Sequence, residues 1–233
     1  MRAADLVRKL LAFSRKQTVQ REILDVGEMV SESEVLLRRL LYEDIKLVTD
    51  YGRNLPHVRA DRSQLDTAVM NLVVNARDAI RSHGGGVIRI RTARVTQEDA
   101  RAQGYPTAQG DQALIEVSDD GPGIAPGVMD KIFEPFFTTK AVGEGTGLGL
   151  ATVYGIVKQS DGWIAVASKP GEGAAFRIFL PVHVPSANAA PVVAPVQPKR
   201  AAARDLSGAG RILFVEDEEA VRGIAATLLR KRG

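Results

Sequence analysis

The chain has 233 residues, of which 45% are hydrophobic and 25% charged, and its formal net charge at pH 7 is +3. This length suits one ordinary domain of about 150 residues with extensions, and so small a charge does not indicate binding to a nucleic acid polymer. The absence of cysteine excludes disulfide bonds and thiolate metal sites. No apolar run approaches the ~20 residues that span a bilayer, and no signal peptide is evident, so we expect a soluble cytoplasmic protein, or a soluble part of a larger one.

The first predicted element is an amphipathic helix over residues 2–20. Leu6, Leu10 and Phe13 form its apolar stripe, and basic residues occupy much of the remaining surface. A lone amphipathic helix needs a partner, which is either the following domain or other helices of a bundle.

Helices and strands then alternate along the chain. The predicted elements are a helix over 26–41, a strand over 45–48, a turn over 52–56, a helix over about 61–81 capped by Asp61 or Ser63, a turn over 84–86, a strand over 87–92 and a polar excursion over 96–111 between two antiparallel strands.

The helix over 61–81 carries two asparagines on one face. Asn71 and Asn75 are four residues apart, and Asp78 lies on or beside the same face. Asparagine is a poor residue for a helix interior, so the pair indicates a polar role. Neutral amide oxygens suit a Mg²⁺ ion whose charge is already balanced by phosphates. The alternative is that both are ordinary surface asparagines.

A strand over 114–117 leads into a turn with the pattern Asp-x-Gly-x-Gly. Asp119 offers a carboxylate, which is a strong acceptor for the exocyclic amine of adenine. Gly121 and Gly123 allow the backbone to approach a flat base without an intervening Cβ. The alternative is a glycine-rich surface loop.

A second glycine cluster precedes a predicted helix over 148–157. Gly143, Gly145, Gly147 and Gly149 can direct backbone amides at phosphate oxygens, and the start of the helix favours an anion. An aromatic stretch over 133–137 lies between the two glycine clusters. Phe136, Phe137 and the segment over 138–146 are predicted to form a mobile lid that becomes ordered when phosphates bind. The sequence has no Gly-Lys-Ser or Gly-Lys-Thr, so this is not the phosphate loop of other NTPases.

The rest of the chain contains the last predicted strands of the sheet, followed by a linker and a further short segment of predicted structure. Strands are predicted over 163–167 and 174–180. Residues 185–208 are rich in proline and alanine and are predicted to be a linker. A buried strand ending in acidic residues is predicted over 211–218, followed by a helix over 221–232. A fragment of a parallel sheet cannot bury itself, so we expect residues 209–233 to be poorly ordered.

These motifs resemble the ATPase superfamily that groups gyrase, heat-shock chaperones, histidine kinases and mismatch-repair ATPases. Residues 70–76 resemble its asparagine box and 119–123 its first glycine box. Residues 133–137 and 145–150 resemble the phenylalanine box and second glycine box of histidine kinases. The resemblance implies an α+β fold of Bergerat type. This is a two-layer α/β sandwich with a mixed sheet covered on one face by helices, preceded by one dimerisation-bundle helix.

The resemblance also implies roles for individual residues. Asn75 would be the Mg²⁺ ligand, and Asn71 stands where water-activating members carry a glutamate. Asp78 stands where many histidine kinases carry a phosphate-contacting lysine, for which Arg77 or Lys140 would substitute. The implied catalytic residues are Asn71, Asn75 and Lys140. The implied ATP-binding residues are Asn75, Asp78, Asp119, Gly121, Gly123, Ile124, Phe136, Phe137, Thr138, Thr139, Lys140, Gly143, Gly145, Thr146, Gly147, Leu148, Gly149 and Leu150.

The order of the parts resembles a hybrid histidine kinase, most of all the cell-cycle hybrid kinases of alphaproteobacteria. Residues 1–20 would be the second helix of a dimerisation bundle, 21–184 the catalytic domain, 185–208 the linker and 209–233 the start of a receiver domain. The family's acceptor histidine stands in a specific acidic context. The histidines present, His57, His83 and His183, lack that context.

The resemblance therefore implies transfer of the γ-phosphoryl group of ATP·Mg²⁺ to a histidine on a dimerisation helix outside this chain. Its implied partners are that helix, a downstream receiver domain or phosphotransfer protein, and a second copy in a homodimeric parent protein. This fragment would not contact a membrane, although the parent protein can be anchored in the inner membrane by other segments. Two alternatives remain: a water-directed ATPase clamp of the same superfamily, and a nucleotide-sensing module without turnover.

A second nucleotide site is predicted after the glycine box. Tyr154 and Lys158 are four residues apart and share a helix face, and Trp163 and Ile164 follow the next turn. Aromatic rings beside a cation suit a purine and its phosphate. The alternative is that the aromatics are half-buried core residues. The resemblance to the cell-cycle kinases implies that this surface binds cyclic di-GMP, which shifts that family from kinase towards phosphatase.

Overall fold

The structure is a computed structural model that describes residues 19–81, 84–140 and 145–184. Its elements are β1 Glu22–Leu24, α1 Val26–Arg39, β2 Ile45–Tyr51, β3 Val58–Ala60, α2 Arg62–Arg81, β4 Gly86–Val95, α3 Gln97–Ala102, β5 Gln112–Asp119, a 3₁₀ helix Pro126–Lys131, α4 Gly149–Gln159, β6 Trp163–Ser168 and β7 Ala174–Pro181. Residues 19 and 20 are not helical. The rest of the predicted helix over 2–20, the linker over 185–208 and the segment over 209–233 lie outside the described residues.

The main sheet has five strands in the order β2-β4-β5-β7-β6. β2 pairs with β4 in parallel, and the remaining pairs are antiparallel. A separate two-stranded sheet joins β1 and β3. The prediction of a mixed sheet is therefore confirmed. The three-residue strands β1 and β3 were not predicted.

Burial alternates along β4, where Ile88 and Ile90 are buried while Arg89 and Arg91 are exposed. This alternation places one face of the sheet against α1, α2 and α4, whose apolar stripes complete the main core. The core includes Leu37, Leu65, Leu72, Ile115, Val117, Val153, Val157 and Ile178. A sheet covered on one face by these helices is the predicted two-layer sandwich.

Residues 96–111 connect the antiparallel strands β4 and β5, as predicted, but they are not only polar. They contain α3, which Thr96 caps by accepting a hydrogen bond from the backbone N–H of Asp99. Ala100 and Ala108 are fully buried in a second, smaller cluster with Leu114 and Phe179. Alanines carried on a polar segment give little periodic signal, which is why the sequence pattern missed this cluster.

α2 carries the predicted asparagines, and Asp61 caps its start. Asp61 Oδ1 accepts hydrogen bonds from the backbone N–H of Gln64 at 3.2 Å and from the Ser63 hydroxyl at 2.7 Å. Of the two predicted caps, Asp61 is therefore the one used. Within residues 19–81, 84–140 and 145–184, no helix is long and apolar enough to cross a membrane.

Candidate nucleotide-binding site

Asp119 ends β5 with its side chain buried at only 8% exposure. Its Oδ1 accepts a hydrogen bond from the backbone N–H of Gly121 at 2.9 Å, which fixes the direction of the carboxylate. Burial raises the pKa of Asp119 above its ordinary value, and hydrogen bonds from the backbone N–H groups of Gly121 and Ala174 only partly oppose this. The carboxylate is thus oriented and poorly hydrated, which strengthens a charge-assisted hydrogen bond to a ligand.

The neighbouring Asp120 is used differently. Its Oδ1 accepts a hydrogen bond from the backbone N–H of Val87 at 2.8 Å. A Cβ placed on Gly86 would lie 2.3 Å from the same oxygen. Asp120 therefore ties the end of β5 to the start of β4. This structural role was not predicted, because it depends on the pairing of the two strands.

The glycines of the first box are required by the protein itself. Gly123 has φ +72°. A Cβ placed on Gly123 would lie 2.2 Å from the Lys169 carbonyl oxygen, and one on Gly121 would lie 2.8 Å from Asp119 Oδ1. The predicted reason, space for a flat base, is therefore incomplete. Both glycines also allow the turn to pack against its own surroundings. The half-buried Ile124 donates its backbone N–H to Ser168 Oγ at 2.8 Å, which anchors the end of the turn.

Asn75 faces the beginning of α4. A Cβ placed on Gly149, the first residue of α4, would lie 3.6 Å from Asn75 Nδ2 and 3.8 Å from Oδ1. The cap position of α4 is Leu148, and among the described residues no side-chain hydrogen bond caps this helix start. Uncapped amides at a helix start are available to an anion. Asn71 lies one turn earlier on α2 and is half-buried.

A Mg²⁺ ion fits this place only together with a nucleotide. In the part of the chain that the structure describes, no group of three or more His, Cys, Asp or Glu side chains could hold a metal ion. The Asn75 amide lies beside amides that suit phosphate oxygens, and an amide with phosphate oxygens and water is an ordinary Mg²⁺ ligand set. The residues present therefore fit a metal that arrives with phosphates.

The aromatic segment, residues 132–140, packs against the second glycine box. Phe133 and Phe137 lie against the core, whereas Phe136 is 49% exposed with φ 69°. The backbone N–H of Phe136 donates to the Gly147 carbonyl at 2.8 Å. Gly147 has φ +64°, and a Cβ placed on it would lie 2.3 Å from the Phe136 carbonyl carbon.

Other residues predicted for the lid are also located. A Cβ placed on Gly145 would lie 2.5 Å from Thr138 Oγ1. Thr138 and Thr139 are exposed, and the Thr146 hydroxyl accepts a hydrogen bond from the backbone N–H of Leu148 at 3.3 Å. Leu150 is half-buried against the core. Gly143 lies outside the described residues.

Asp78 is bound by Arg77 and Lys140, the two cations that were predicted to substitute for a phosphate-contacting lysine at its position. Lys140 Nζ lies 2.5 Å from Asp78 Oδ2, and Arg77 Nη2 lies 2.7 Å from Oδ1. Burial acts to raise the pKa of Asp78, but the hydrogen bonds from Lys140 and Arg77 outweigh it and hold the pKa below its ordinary value. The carboxylate is therefore ionised at neutral pH and links α2 to the aromatic segment.

The residues predicted for a second nucleotide site come together, with one exception. Lys158 Nζ lies 4.3 Å from the Trp163 ring centroid and 5.4 Å from that of Tyr154, which is 42% exposed. Tyr105, which was not predicted here, stacks on Trp163 with centroids 5.3 Å apart. Ile164 is the exception. Its side chain is buried in the main core on the opposite face of β6, so it does not belong to this surface.

Comparison with known proteins agrees with this geometry. Residues 60–184 match the family described as histidine kinase-, DNA gyrase B- and HSP90-like ATPase. The whole chain is 48% identical to the sensor kinase CckA of Brucella abortus (strain 2308) and spans 25% of that protein's length.

Two solved structures also resemble the chain. The mycobacterial sensor histidine kinase MprB matches 70% of the chain and 99% of its own, with a TM-score of 0.53 and 30% identity. Full-length ShkA in complex with AMPPNP matches 78% of the chain and 36% of its own, with a TM-score of 0.62; at 24% identity this likeness shows the fold alone.

The match over most of the folded region, the mixed sheet and the two glycine boxes lead to one conclusion. The chain belongs to the histidine kinase-, DNA gyrase B- and HSP90-like ATPase family, and it contains the ATP-binding domain of a histidine kinase.

Proposed function

We propose that this chain is the catalytic part of a hybrid histidine kinase. It binds ATP·Mg²⁺ and transfers the γ-phosphoryl group to a histidine on a dimerisation helix of the parent protein. The observation that carries this proposal is the position of Asn75 beside the uncapped start of α4, with the Lys140–Asp78 ion pair on the next turn of α2. An amide, free helix amides and a lysine in one place suit a polyphosphate and its metal.

Each residue contributes positioning or charge rather than a covalent bond, as phosphoryl transfer requires. Asp119 accepts the amine of adenine and so fixes the base. The first amides of α4 would bind the phosphate oxygens, and the Asn75 amide would be a ligand of the metal. Mg²⁺, when bound, neutralises charge that develops on the phosphates. The aromatic segment is fixed to the glycine box through Phe136 and Gly147 and thereby covers the phosphates.

The presence of an asparagine at position 71 favours phosphoryl transfer to a histidine over hydrolysis of ATP by water. A general base that activates water must accept a proton, and a neutral amide cannot do so at physiological pH. The sensor kinase CckA of Brucella abortus, which is 48% identical, supports the same choice.

The parent protein would be a cytoplasmic or membrane-anchored homodimer that passes phosphate to a receiver domain or phosphotransfer protein. The chain spans 25% of the length of the sensor kinase CckA and 35% of the length of the sensor histidine kinase ZraS of Escherichia coli (strain K12), so these further parts would lie largely outside it. The receiver-like sequence over 211–218 supports such a relay.

The test is incubation of the chain with γ-labelled ATP and a separate fragment that carries the histidine-bearing helix. We expect acid-labile label on the fragment and none on the chain alone, because His57, His83 and His183 lack the acceptor context. Absence of label on the fragment, with ATP bound, would favour the sensing module instead.

A second proposal concerns cyclic di-GMP, which would bind at Tyr154 and Lys158. The observation that favours it is the Lys158 ammonium lying close to both the Trp163 and Tyr154 rings. Tyr154 offers an exposed ring on which a guanine can stack, and Lys158 can bind a phosphate. Tyr154 also contacts Phe133, with centroids 5.6 Å apart, so a ligand there would touch the base of the aromatic segment.

Calorimetry with the variant Tyr154→Asp tests this second proposal. We expect loss of cyclic di-GMP binding while ATP binding survives. Tyr42→Asp is a matched control, because Tyr42 is 43% exposed and has a guanidinium 5.0 Å from its ring centroid, but this cation is Arg81 of α2 rather than a residue of α4. Normal binding by Tyr154→Asp, or equal loss in both variants, would place the ligand elsewhere.

A further inference from the structure

The ion pair between Lys140 and Asp78 joins two parts of the site that are distant in sequence. Asp78 lies on α2, one turn after Asn75, and Lys140 belongs to the aromatic segment. The pair is partly shielded from solvent, since the Lys140 side chain is 34% and the Asp78 side chain 26% exposed. Such a pair is less screened than one on the open surface.

The two cations on Asp78 are not equivalent. Arg77 binds Oδ1 through both Nε and Nη2, and its Nη1 donates to the Leu40 carbonyl at 3.1 Å. The Arg77 guanidinium also lies 5.4 Å from the centroid of the Tyr42 ring. Arg77 is therefore anchored to the end of α1. Lys140 Nζ is bound to Oδ2 alone among the described residues, which leaves it donors for another ligand.

The backbone of Lys140 is held beside the second glycine box. Its N–H donates to Thr138 Oγ1 at 3.2 Å. A Cβ placed on Gly145 would lie 3.4 Å from both Cβ and Cδ of Lys140. The lysine therefore lies between Asp78 and the glycines that lead into α4, where the proposed phosphates would bind.

We propose that Lys140 binds the β- and γ-phosphates of ATP and that Asp78 is the residue that positions it. A carboxylate next to a polyphosphate is unfavourable unless cations separate the two negative charges. An ammonium has three donors, so Lys140 can bind Asp78 and a phosphate oxygen together. The ion pair also ties the aromatic segment to α2 and limits the freedom of the lysine. This inference rests on the proposed function and assigns the cation of that same site.

Three variants test whether Asp78 positions Lys140 for the phosphates or only stabilises the fold: Lys140→Gln, Asp78→Asn and the double variant. For Lys140→Gln we expect ATP affinity to fall by roughly tenfold or more, the scale of one charge-assisted contact, while adenosine affinity is unchanged. For Asp78→Asn we expect ATP affinity to be kept or raised, because a negative charge is removed, while the transfer rate at saturating ATP falls. When Lys140→Gln is already present, adding Asp78→Asn should change the transfer rate little further.

A relocation variant gives a further positive result. Asp78→Lys combined with Lys140→Gln moves the cation from the aromatic segment to α2, and it should bind ATP more tightly than Lys140→Gln alone. Lys46→Gln is a matched control, since Lys46 is an exposed lysine on β2, which is an edge strand of the main sheet. It should leave ATP affinity unchanged.

Two results would overturn the inference while leaving the proposed function intact: wild-type ATP affinity in Lys140→Gln, or additive effects of the two substitutions on the transfer rate. Failure of the wild-type chain to bind ATP at all would overturn both proposals.

Discussion

At the scale of single residues, adjacent aspartates do different work. Asp119 Oδ1 accepts a hydrogen bond from Gly121 within its own turn, whereas Asp120 Oδ1 accepts one from Val87 on the next strand. The first carboxylate is therefore positioned for a ligand, and the second ties the end of β5 to the start of β4. Asp119 is also buried whereas Asp120 is exposed, so two adjacent residues of one type differ both in their hydrogen-bond donor and in their contact with solvent.

Asp119→Asn should weaken ADP and ATP binding by about 1.5–3 kcal/mol, because a charge-assisted hydrogen bond to adenine is lost. Calorimetric titration gives the Kd directly. Asp120→Asn is the matched control, and it should lower the melting temperature with a smaller effect on affinity. An unchanged Kd for Asp119→Asn would remove this residue from the adenine site.

The raised pKa of Asp119 predicts a specific dependence on pH. Burial raises the pKa, so the folded chain holds a proton on Asp119 at pH values where the unfolded chain has lost it. The contribution of this group to the free energy of unfolding therefore falls as the pH rises between the unfolded and folded values. ADP affinity should change in the opposite sense, weakening as the pH falls through the raised pKa, above the ordinary aspartate value of about 4. Titrations across this range should show that dependence in the wild type and not in Asp119→Asn.

Asn75→Ala should affect the metal-dependent part of binding. Without the amide, Mg²⁺ loses a protein ligand, and we expect phosphoryl transfer to slow by roughly tenfold or more. ADP binding measured with a chelator present should stay near the wild-type value, because adenine contacts are intact. If metal-free ADP binding falls by the same factor, Asn75 supports the fold of the site rather than the metal.

Among the helices and strands, those with long periodic sequence patterns were predicted more reliably than those with short ones. α2 begins within one residue of its predicted start and ends where predicted, and β4 contains the predicted strand over 87–92 but continues to Val95. The three-residue strands β1 and β3 are too short to show alternation, and α3 lies within a polar connection.

The same limit applies to the site. Asp119 and Asn75 were found through local spacing and family resemblance. The stacking of Tyr105 on Trp163 and the hydrogen bond from Val87 to Asp120 join distant segments, so no local pattern reveals them. The prediction grouped Ile164 with Trp163, but the side chains of neighbouring residues in a strand point to opposite faces of the sheet. Ile164 therefore lies on the other face of β6 from Trp163.

Gly147 joins the aromatic segment to the glycine box, and its replacement tests that connection. Gly147→Ala places a Cβ 2.3 Å from the Phe136 carbonyl carbon at φ +64°, so we expect a loss of about 1–3 kcal/mol in stability and weaker ATP binding. Gly155→Ala is the matched control on α4, where a Cβ meets nothing within 4 Å. It should raise stability by about 0.5–1 kcal/mol. Chemical denaturation measures both, and equal effects would show that the close contact is relieved without cost.

At the scale of the whole molecule, α4 connects the two proposed nucleotide surfaces. Its first residue, Gly149, faces Asn75, and its later turns carry Tyr154 and Lys158. The mixed sheet supplies a rigid support beneath α2 and α4, and the aromatic segment contacts both surfaces through Lys140 and Phe133. A single helix would therefore connect the proposed ATP site with the proposed cyclic di-GMP site.

We propose that this site transfers phosphate to a histidine instead of water. The most direct measurement is a single-turnover reaction of the chain with γ-labelled ATP·Mg²⁺ and the histidine-bearing fragment, in which phosphohistidine and inorganic phosphate are counted together. We predict that most of the label appears as phosphohistidine on the fragment, since Asn71 cannot activate water. Release of the label as inorganic phosphate at the same rate with and without the fragment would contradict the account and identify a water-directed ATPase.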